Sequence, residues 1–325
     1  MAISLIYELT TPEATGDAEM TQRTTTIRLG HAIVLLPFAI NHPLRVAERI
    51  AVLDILSNGR AEFGGGRAIS ESELSAFGVD PEDTKAQWEE SLRMLPEMWT
   101  QEGFSWESPL ISVPPRTVTP KPLQKPHPPL WVSATQPATI EFAGKNGLGV
   151  LGFGIGQGDS DNFVRPYREE IKTCTPIGEF VNDRFAFRVH SLCLPTDNEA
   201  QAIQGPNFAK HREQVRALFA PWTPEGKAPR SYGRFMKFCQ EQQEKLAPVT
   251  MEDIISSGGA AIGSPETCLR TIRVWPTPAG TKSSSSCRAP IRRTTRSCSR
   301  SSCSRLRSSR GSSPSRRVPR RLRRS

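Results

Sequence analysis

The stretch from Thr25 to Ala68, TTIRLGHAIVLLPFAINHPLRVAERIAVLDILSNGRAEFGGGRA, constrains the fold more than any other part of this chain. Ile27, Leu29 and the run from Ala32 to Leu36 are almost continuously apolar, as in a strand buried on both faces of a parallel sheet. Pro37 ends that strand. Asn41 or His42 can then cap a helix with Pro43 in its first turn, and Val46, Ala47, Ile50, Leu53 and Leu56 recur at helical spacing. Ser57-Asn58-Gly59 supplies a left-handed stop, and Ala61 to Phe63 re-enters the sheet before Gly64-Gly65-Gly66-Arg67. The order strand, helix, strand is one βαβ unit. Three glycines at the outer end of its second strand allow another group to approach the backbone closely.

The wording of three pieces, TTIRLGHAIVLLP, HPLRVAERIAVLDILSNGR and FGGGRA, closely resembles the bacterial-luciferase-like family of flavin-dependent monooxygenases. The resemblance runs over about residues 20–273. It implies an α/β fold, a (β/α)8 TIM barrel with the active site at the C-terminal ends of the strands. Within that family a first strand, helix and second strand would precede Thr25, whereas this chain has only about twenty residues there. Residues 1–19 carry no family pattern and read as a non-family segment. The barrel is therefore expected to be incomplete, without its first two strands and its last.

Beyond Ala68, Ser70 to Asp80 reads as a polar loop, and Pro81 opens a helix through Thr100 whose apolar face is Trp88, Leu92, Leu95 and Trp99. That helix reads as scaffold. Eight prolines between Phe104 and Pro129 exclude a helix and fit an extended, hairpin-like excursion. Leu130 to Val132 is the next strand, and Ser133-Ala134-Thr135-Gln136-Pro137-Ala138-Thr139 leads into a helix. Hydroxyls and free N–H groups at such a junction suit a phosphate; simple N-capping would use one hydroxyl only. Further on come a strand over Gly149 to Ile155, one over Arg184 to Leu194, and helices over Asp197 to Ala247 broken at Gly205-Pro206 and at Pro221 to Pro229. Phe208, Phe219, Trp222, Tyr232, Phe235 and Phe238 in that last stretch can pack a core or line a substrate mouth. Gly258 to Gly263 reads as a turn ahead of a helix that begins at Ser264-Pro265.

The formal net charge of +9 is concentrated at one end. Residues 274–325 hold 15 Lys and Arg and no acid, which leaves −6 for the rest. A Ser/Arg-rich segment without hydrophobic period is expected to be disordered. It is either a tail that binds nucleic acid or other anions non-specifically by charge, or GC-rich coding DNA read out of frame, which produces the same bias. The seven cysteines show no metal-ligand spacing and suit reduced thiols in a cytoplasmic protein. No run is long and apolar enough to span a membrane, and the N-terminus has no basic region ahead of a cleavage site.

The resemblance also implies chemistry. Such enzymes take reduced FMN from a separate flavin reductase, react it with O2 to a C4a-peroxyflavin and oxygenate a small organic substrate; a homodimer is compatible with this. A related branch uses a deazaflavin for hydride transfer, and GGGRA with Thr139 fits either cofactor. By residue match, Ala32 and Ile33 would lie beside the flavin ring, in this family often through a non-prolyl cis peptide. Gly66 and Arg67 would end the next strand, Thr135, Gln136 and Thr139 would meet the phosphate, and Gly152, Phe153 and Gly154 would border the other side. His42 is the one candidate acid or base on the opening stretch, and helix capping explains it as well. The contrasting class is a truncated, non-functional barrel with open sheet edges, whose tail alone binds anions.

Overall fold

The computed structural model describes residues 3–6, 21–134, 136–153, 163–222, 228–246 and 250–274. The chain divides into two units, Met1–Pro276 and Thr277–Ser325, and the second lies outside the described residues. The basic tail expected from residue 274 therefore falls almost wholly outside them.

The opening βαβ unit forms as its sequence dictates. Strand β2 spans Arg28–Leu35, with Leu29 and Val34 buried; helix α1 spans Pro43–Leu56, and strand β3 spans Ala61–Gly66. His42 is the N-cap of α1, its Nδ1 accepting from the Leu44 N–H at 3.3 Å. Asn58 and Gly59 close the helix with φ of 55° and 75°, the left-handed stop read from Ser57-Asn58-Gly59. Every residue of β3 is buried, as an inner strand of a parallel sheet requires. Strand β1, Ile3–Ile6, pairs parallel with β2, so four residues of the segment read as foreign to the fold supply a sheet edge. Its alternating Ile, Ser, Leu, Ile is ordinary strand sequence, and only the lack of family wording had set it apart.

Outside the sheet, Ser70 and Glu73 form a reciprocal capping box for a short helix α2, Glu71–Ser75, where a loop was expected. Helix α3, Thr84–Thr100, packs Trp88, Leu92, Leu95 and Trp99 inward. Trp99 Nε1 donates to the Ala47 carbonyl at 3.0 Å and its ring meets Phe63 edge-on, which joins α3 to α1 and to β3. The proline-rich excursion is an antiparallel hairpin, β4 (Phe104–Glu107) with β5 (Ser112–Arg116). Then follow β6 (Leu130–Ala134), α4 (Pro137–Lys145), β7 (Gly149–Phe153), α5 (Arg165–Glu170) and β8 (Phe185–Arg188). The sheet runs β1-β2-β3-β6-β7-β8, all pairs parallel, a half-barrel with helices outside.

The single strand expected over 184–194 is divided. After β8 the chain passes one residue, and β9 (His190–Cys193) pairs instead with β10 (Ala260–Gly263), parallel and in a second, two-stranded sheet. Gly258 to Gly263, read as a turn, therefore contains a buried strand: Ala260, Ala261 and Ile262 are apolar enough to enter a sheet despite the flanking glycines. Helix α6, Asp197–Phe219, also runs on through Gly205-Pro206. Pro206 forfeits one backbone donor, and that loss does not stop a helix capped by Thr196 and anchored by buried Ala200 and Phe219. Helices α7 (Gly233–Leu246), α8 (Met251–Ser256) and α9 (Pro265–Val274) complete the described elements. No described helix is long and apolar enough to cross a membrane.

One polar network gathers near the N-terminal ends of the sheet strands. Glu62 of β3, 2% exposed, pairs with Arg28 of β2, accepts from Trp131 Nε1 of β6 at 2.7 Å and lies 3.4 Å from Arg184 Nη1 just before β8. Arg28 also donates to Gln124 Oε1 at 2.7 Å. Gln124 in turn holds the fully buried Asp54 through its backbone N–H at 2.8 Å and its Nε2 at 2.7 Å. Glu62 draws partners from both β2 and β6, the condition under which a buried charge is tolerated. His127, buried beside it against Trp99 and Phe180, donates from Nδ1 to the Pro128 carbonyl and accepts at Nε2 from the Glu179 N–H. Burial holds its pKa below the usual histidine value, against the opposing pull of Pro128 and Glu179.

Candidate functional site

A cavity of about 590 Å³ opens at the C-terminal ends of β2, β3 and β6. Its floor is the tip of β2 with Gly66 of β3. One side is α3 with the start of α4, and the other is the segment from Arg230 to Phe235. The size falls within the usual range for small-molecule sites.

Six of the ten residues matched to the flavin site line this cavity: Ala32, Ile33, Gly66, Arg67, Gln136 and Thr139. The Ala32–Ile33 peptide is cis and non-prolyl, and the β2–β3 register shifts between Ala32 and Val34. Close contacts around β3 explain the glycine triplet. A Cβ on Gly64 would overlap the His31 carbonyl oxygen, one on Gly65 would lie 2.8 Å from Leu36 Cδ1, and one on Gly66 would overlap the Ile33 side chain. The group that approaches those glycines so closely is strand β2 itself.

Arg67 is held from three directions. Its guanidinium donates to Thr84 Oγ1 at 2.9 and 3.1 Å, reaches the Ser231 carbonyl at 3.5 Å and lies 4.3 Å over the Tyr232 ring. Tyr232 donates to the Ala68 carbonyl at 2.8 Å, and burial pushes its phenol up, partly offset by Arg67. The cation is thus fixed against an aromatic wall while its side chain still borders the cavity.

At the opposite wall Gln136 occupies the N-cap position of α4 without a side-chain cap bond. Thr135 and Gly154 lie outside the described residues. Gly152 is not among the lining residues; a Cβ there would meet the Phe187 ring of β8 at 3.1 Å. Phe153 ends β7 and is likewise not among them. His42 caps α1 and is not a lining residue either; burial lowers its pKa first, and Arg116 and Arg45 lower it further.

Helix α3, expected as scaffold, also lines the cavity, with Lys85, Trp88 and Glu89 on one face. Lys85 lies 3.7 Å from Glu89. Trp88 is 4% exposed, its ring tilted on Phe142 at 4.9 Å, and its Nε1 is buried with no hydrogen-bond partner among the described residues. A buried, unmatched donor at a cavity wall suits a ligand acceptor. The i, i+3, i+4 spacing of Lys85, Trp88 and Glu89 was the visible signal. Tyr232 and Phe235 do both jobs considered for them, packing with Phe219 and Trp222 and lining the cavity. Arg230 and Arg234 border the cavity as exposed cations.

Residues 18–281 match the family model described as luciferase-like monooxygenase. The oxygenase component of flavin-dependent trigonelline monooxygenase from Acinetobacter baylyi is 32% identical over 225 residues, 64% of this chain and 60% of that protein. The chain spans about a third to two thirds of the length of the curated relatives it matches. Among solved structures, the oxygenating constituent of 3,6-diketocamphane monooxygenase from Pseudomonas putida, in complex with FMN, superposes with a TM-score of 0.60 at 17% identity, covering 79% of this chain and 71% of that one. The coenzyme F420 dependent tetrahydromethanopterin reductase of Methanopyrus kandleri gives 0.55 at 19% identity, covering 79% and 76%. At such identities the two structures speak to the fold.

Proposed function

The chain belongs to the luciferase-like monooxygenases, and on that premise we propose that its cavity holds reduced FMN and that the protein acts as the oxygenase component of a two-component flavin-dependent monooxygenase. Reduced flavin, when bound, supplies the activation of O2 toward a small organic substrate. A separate flavin reductase is the implied partner, as the name of the Acinetobacter relative suggests, and the cytoplasm is the compartment this reading fits.

The carrying observation is the convergence of Arg67, Lys85, Thr139 and the start of α4, where Gln136 makes no side-chain cap bond, on one cavity. The first turn of helix α4, with Gln136, Ala138 and Thr139 on the cavity wall, turns the positive end of its dipole toward the space that the two cations border, which favours a phosphate. Arg67, already oriented by Thr84 and Tyr232, loses little side-chain freedom on binding. Trp88 Nε1 offers a further donor within the same wall. Ala32, Ile33 and Gly66 then give an apolar floor on which a planar ring can lie, and Phe142, Tyr232 and Phe235 keep water from it. The six-stranded half-barrel fits the reading of a barrel incomplete within this chain, and residues 1–19, 20–273 and 274–325 remain the division we propose.

Quenching of flavin fluorescence by the full chain tests this. FMN is expected to bind at least about tenfold more tightly than riboflavin, since the phosphate contributes charge-assisted bonds. Equal affinity for the two, or none for either, would refute the phosphate site. Tight binding of a deazaflavin with no affinity for FMN would move the protein to the hydride-transfer branch.

A further inference from the structure

Away from the cavity, two thiols meet where β9, β10 and α9 converge. Cys193 ends β9 and is exposed, and its register partner on β10 is Gly263. Cys268 lies in the first half of α9 and is 8% exposed. Its Sγ lies 3.3 Å from the Ala261 carbonyl, 3.6 Å from that of Gly263 and 3.8 Å from that of Leu192, the residue before Cys193. The buried sulfur therefore rests against the peptide that carries the exposed one.

This placement is pinned independently of either thiol. Asp197, just past β9, accepts from the Ser264 N–H at 2.6 Å and from Thr267 Oγ1 at 3.0 Å, fixing the start of α9 against the start of α6. Gly263 leaves no room for adjustment, since a Cβ there would lie 2.5 Å from Asp197 Oδ1. Burial pushes the Cys268 thiol up, and the adjacent Cys193 thiol pushes it further.

We propose that Cys193 and Cys268 form a peroxide-sensitive dithiol that closes to a disulfide between β9 and α9. The Cys193 thiolate attacks one oxygen of hydrogen peroxide, the O–O bond breaks, and hydroxide leaves to take up a proton as water. The Cys193 sulfenic acid is then attacked by the Cys268 sulfur; its S–O bond breaks, a second water leaves, and the S–S bond forms. In sum two thiols give two electrons and two protons to one peroxide. Exposure assigns the peroxide-facing role to Cys193 and burial the resolving role to Cys268. A bond there needs Cα atoms within roughly 4.4–6.8 Å, a span that the Leu192 and Gly263 contacts of Cys268 favour.

The test is mild oxidation of the full chain with stoichiometric hydrogen peroxide, followed by non-reducing peptide mapping. A cross-linked pair of peptides carrying Cys193 and Cys268 is expected, with the apparent Tm raised by roughly 5–10 °C and returned by dithiothreitol. Cys193→Ser is expected to abolish both the cross-link and the Tm shift. Cys268→Ala is expected to leave a dimedone-reactive sulfenic acid on Cys193. If wild-type Cys193 accumulates as sulfenic or sulfinic acid while Cys268 stays a free thiol, or if Cys193 pairs with any other cysteine of the chain, the proposal fails. That wild-type map decides even if the Cys268 variant does not fold.

Discussion

At the N-terminal end of the parallel sheet the buried Glu62 carboxylate meets Arg28, Trp131 and Arg184, and the buried Asp54 meets Gln124 twice, whereas at the C-terminal end Trp88 Nε1 is buried without a partner among the described residues and Gln136, at the N-cap of α4, makes no side-chain cap bond. Both ends are polar, and both use arginine. They differ in whether the polar groups answer one another within the chain. A satisfied network rigidifies; an unsatisfied one reserves its donors for something else. In a parallel α/β sheet the second kind belongs at the carboxyl ends of the strands, where helix N-termini also point.

The contrast can be broken most forcefully from the satisfied end. Glu62→Ala strands Arg28 and Trp131 inside the sheet and is expected to cost about 3–5 kcal/mol in urea unfolding, with flavin affinity of the folded fraction unchanged. A loss below 1 kcal/mol would mean that solvent already relieves those charges. Next in size is Arg67→Gln, for which a rise in the FMN Kd of about tenfold to a hundredfold is expected beside a loss of stability near 1 kcal/mol from the Tyr232 stack. Unchanged FMN affinity would detach Arg67 from the phosphate.

A smaller effect concerns His127. Its folded pKa is held below the unfolded value near 6.5, so the unfolded chain binds the proton first as pH falls. The stability that neutral His127 supports is fully present above about pH 6.5 and declines as pH drops below it, because a proton on Nε2 displaces the Glu179 N–H. Urea midpoints between pH 7.5 and 5 should show that decline in the wild type and a shallower one in His127→Gln. Smallest is Trp88→Phe, which removes a donor that bonds nothing among the described residues. Stability should fall by no more than about 1–2 kcal/mol, the packing lost on trimming a buried ring, while the FMN Kd rises a few-fold. A loss well above that would place the indole among the satisfied groups and blur the contrast between the two ends.

Much of this was legible in the residues. The continuous apolar run of β2, the capped amphipathic α1 and the proline-rich hairpin are local patterns, and the structure reproduces them. The approach to Gly64, Gly65 and Gly66 was also legible, although its occupant was not, because a glycine records that space is needed and not what fills it. Glu62 gave no signal: a glutamate in a strand ordinarily faces water, and only the register that sets it between Arg28 and Trp131 shows otherwise. The switch from β8 to β9 depends on which neighbour each half of one apolar run finds, and that is a tertiary choice. Tyr232 and Phe235 were legible as candidates for a substrate mouth, but their pairing with Arg67 was not, since nothing near those residues announces that Arg67 lies beneath Tyr232.

That stack joins parts of the chain made at different times. During synthesis, everything that forms the floor and the α4 wall, through Lys145, emerges about ninety residues before Phe235, a lag on the order of 5–20 s at ordinary elongation rates. Until then Arg67 has Thr84 but no aromatic roof, and the apolar floor stands open to water. A nascent chain paused in that interval would present a half-built pocket to the cell, and its last wall arrives only when the ribosome has translated past α7.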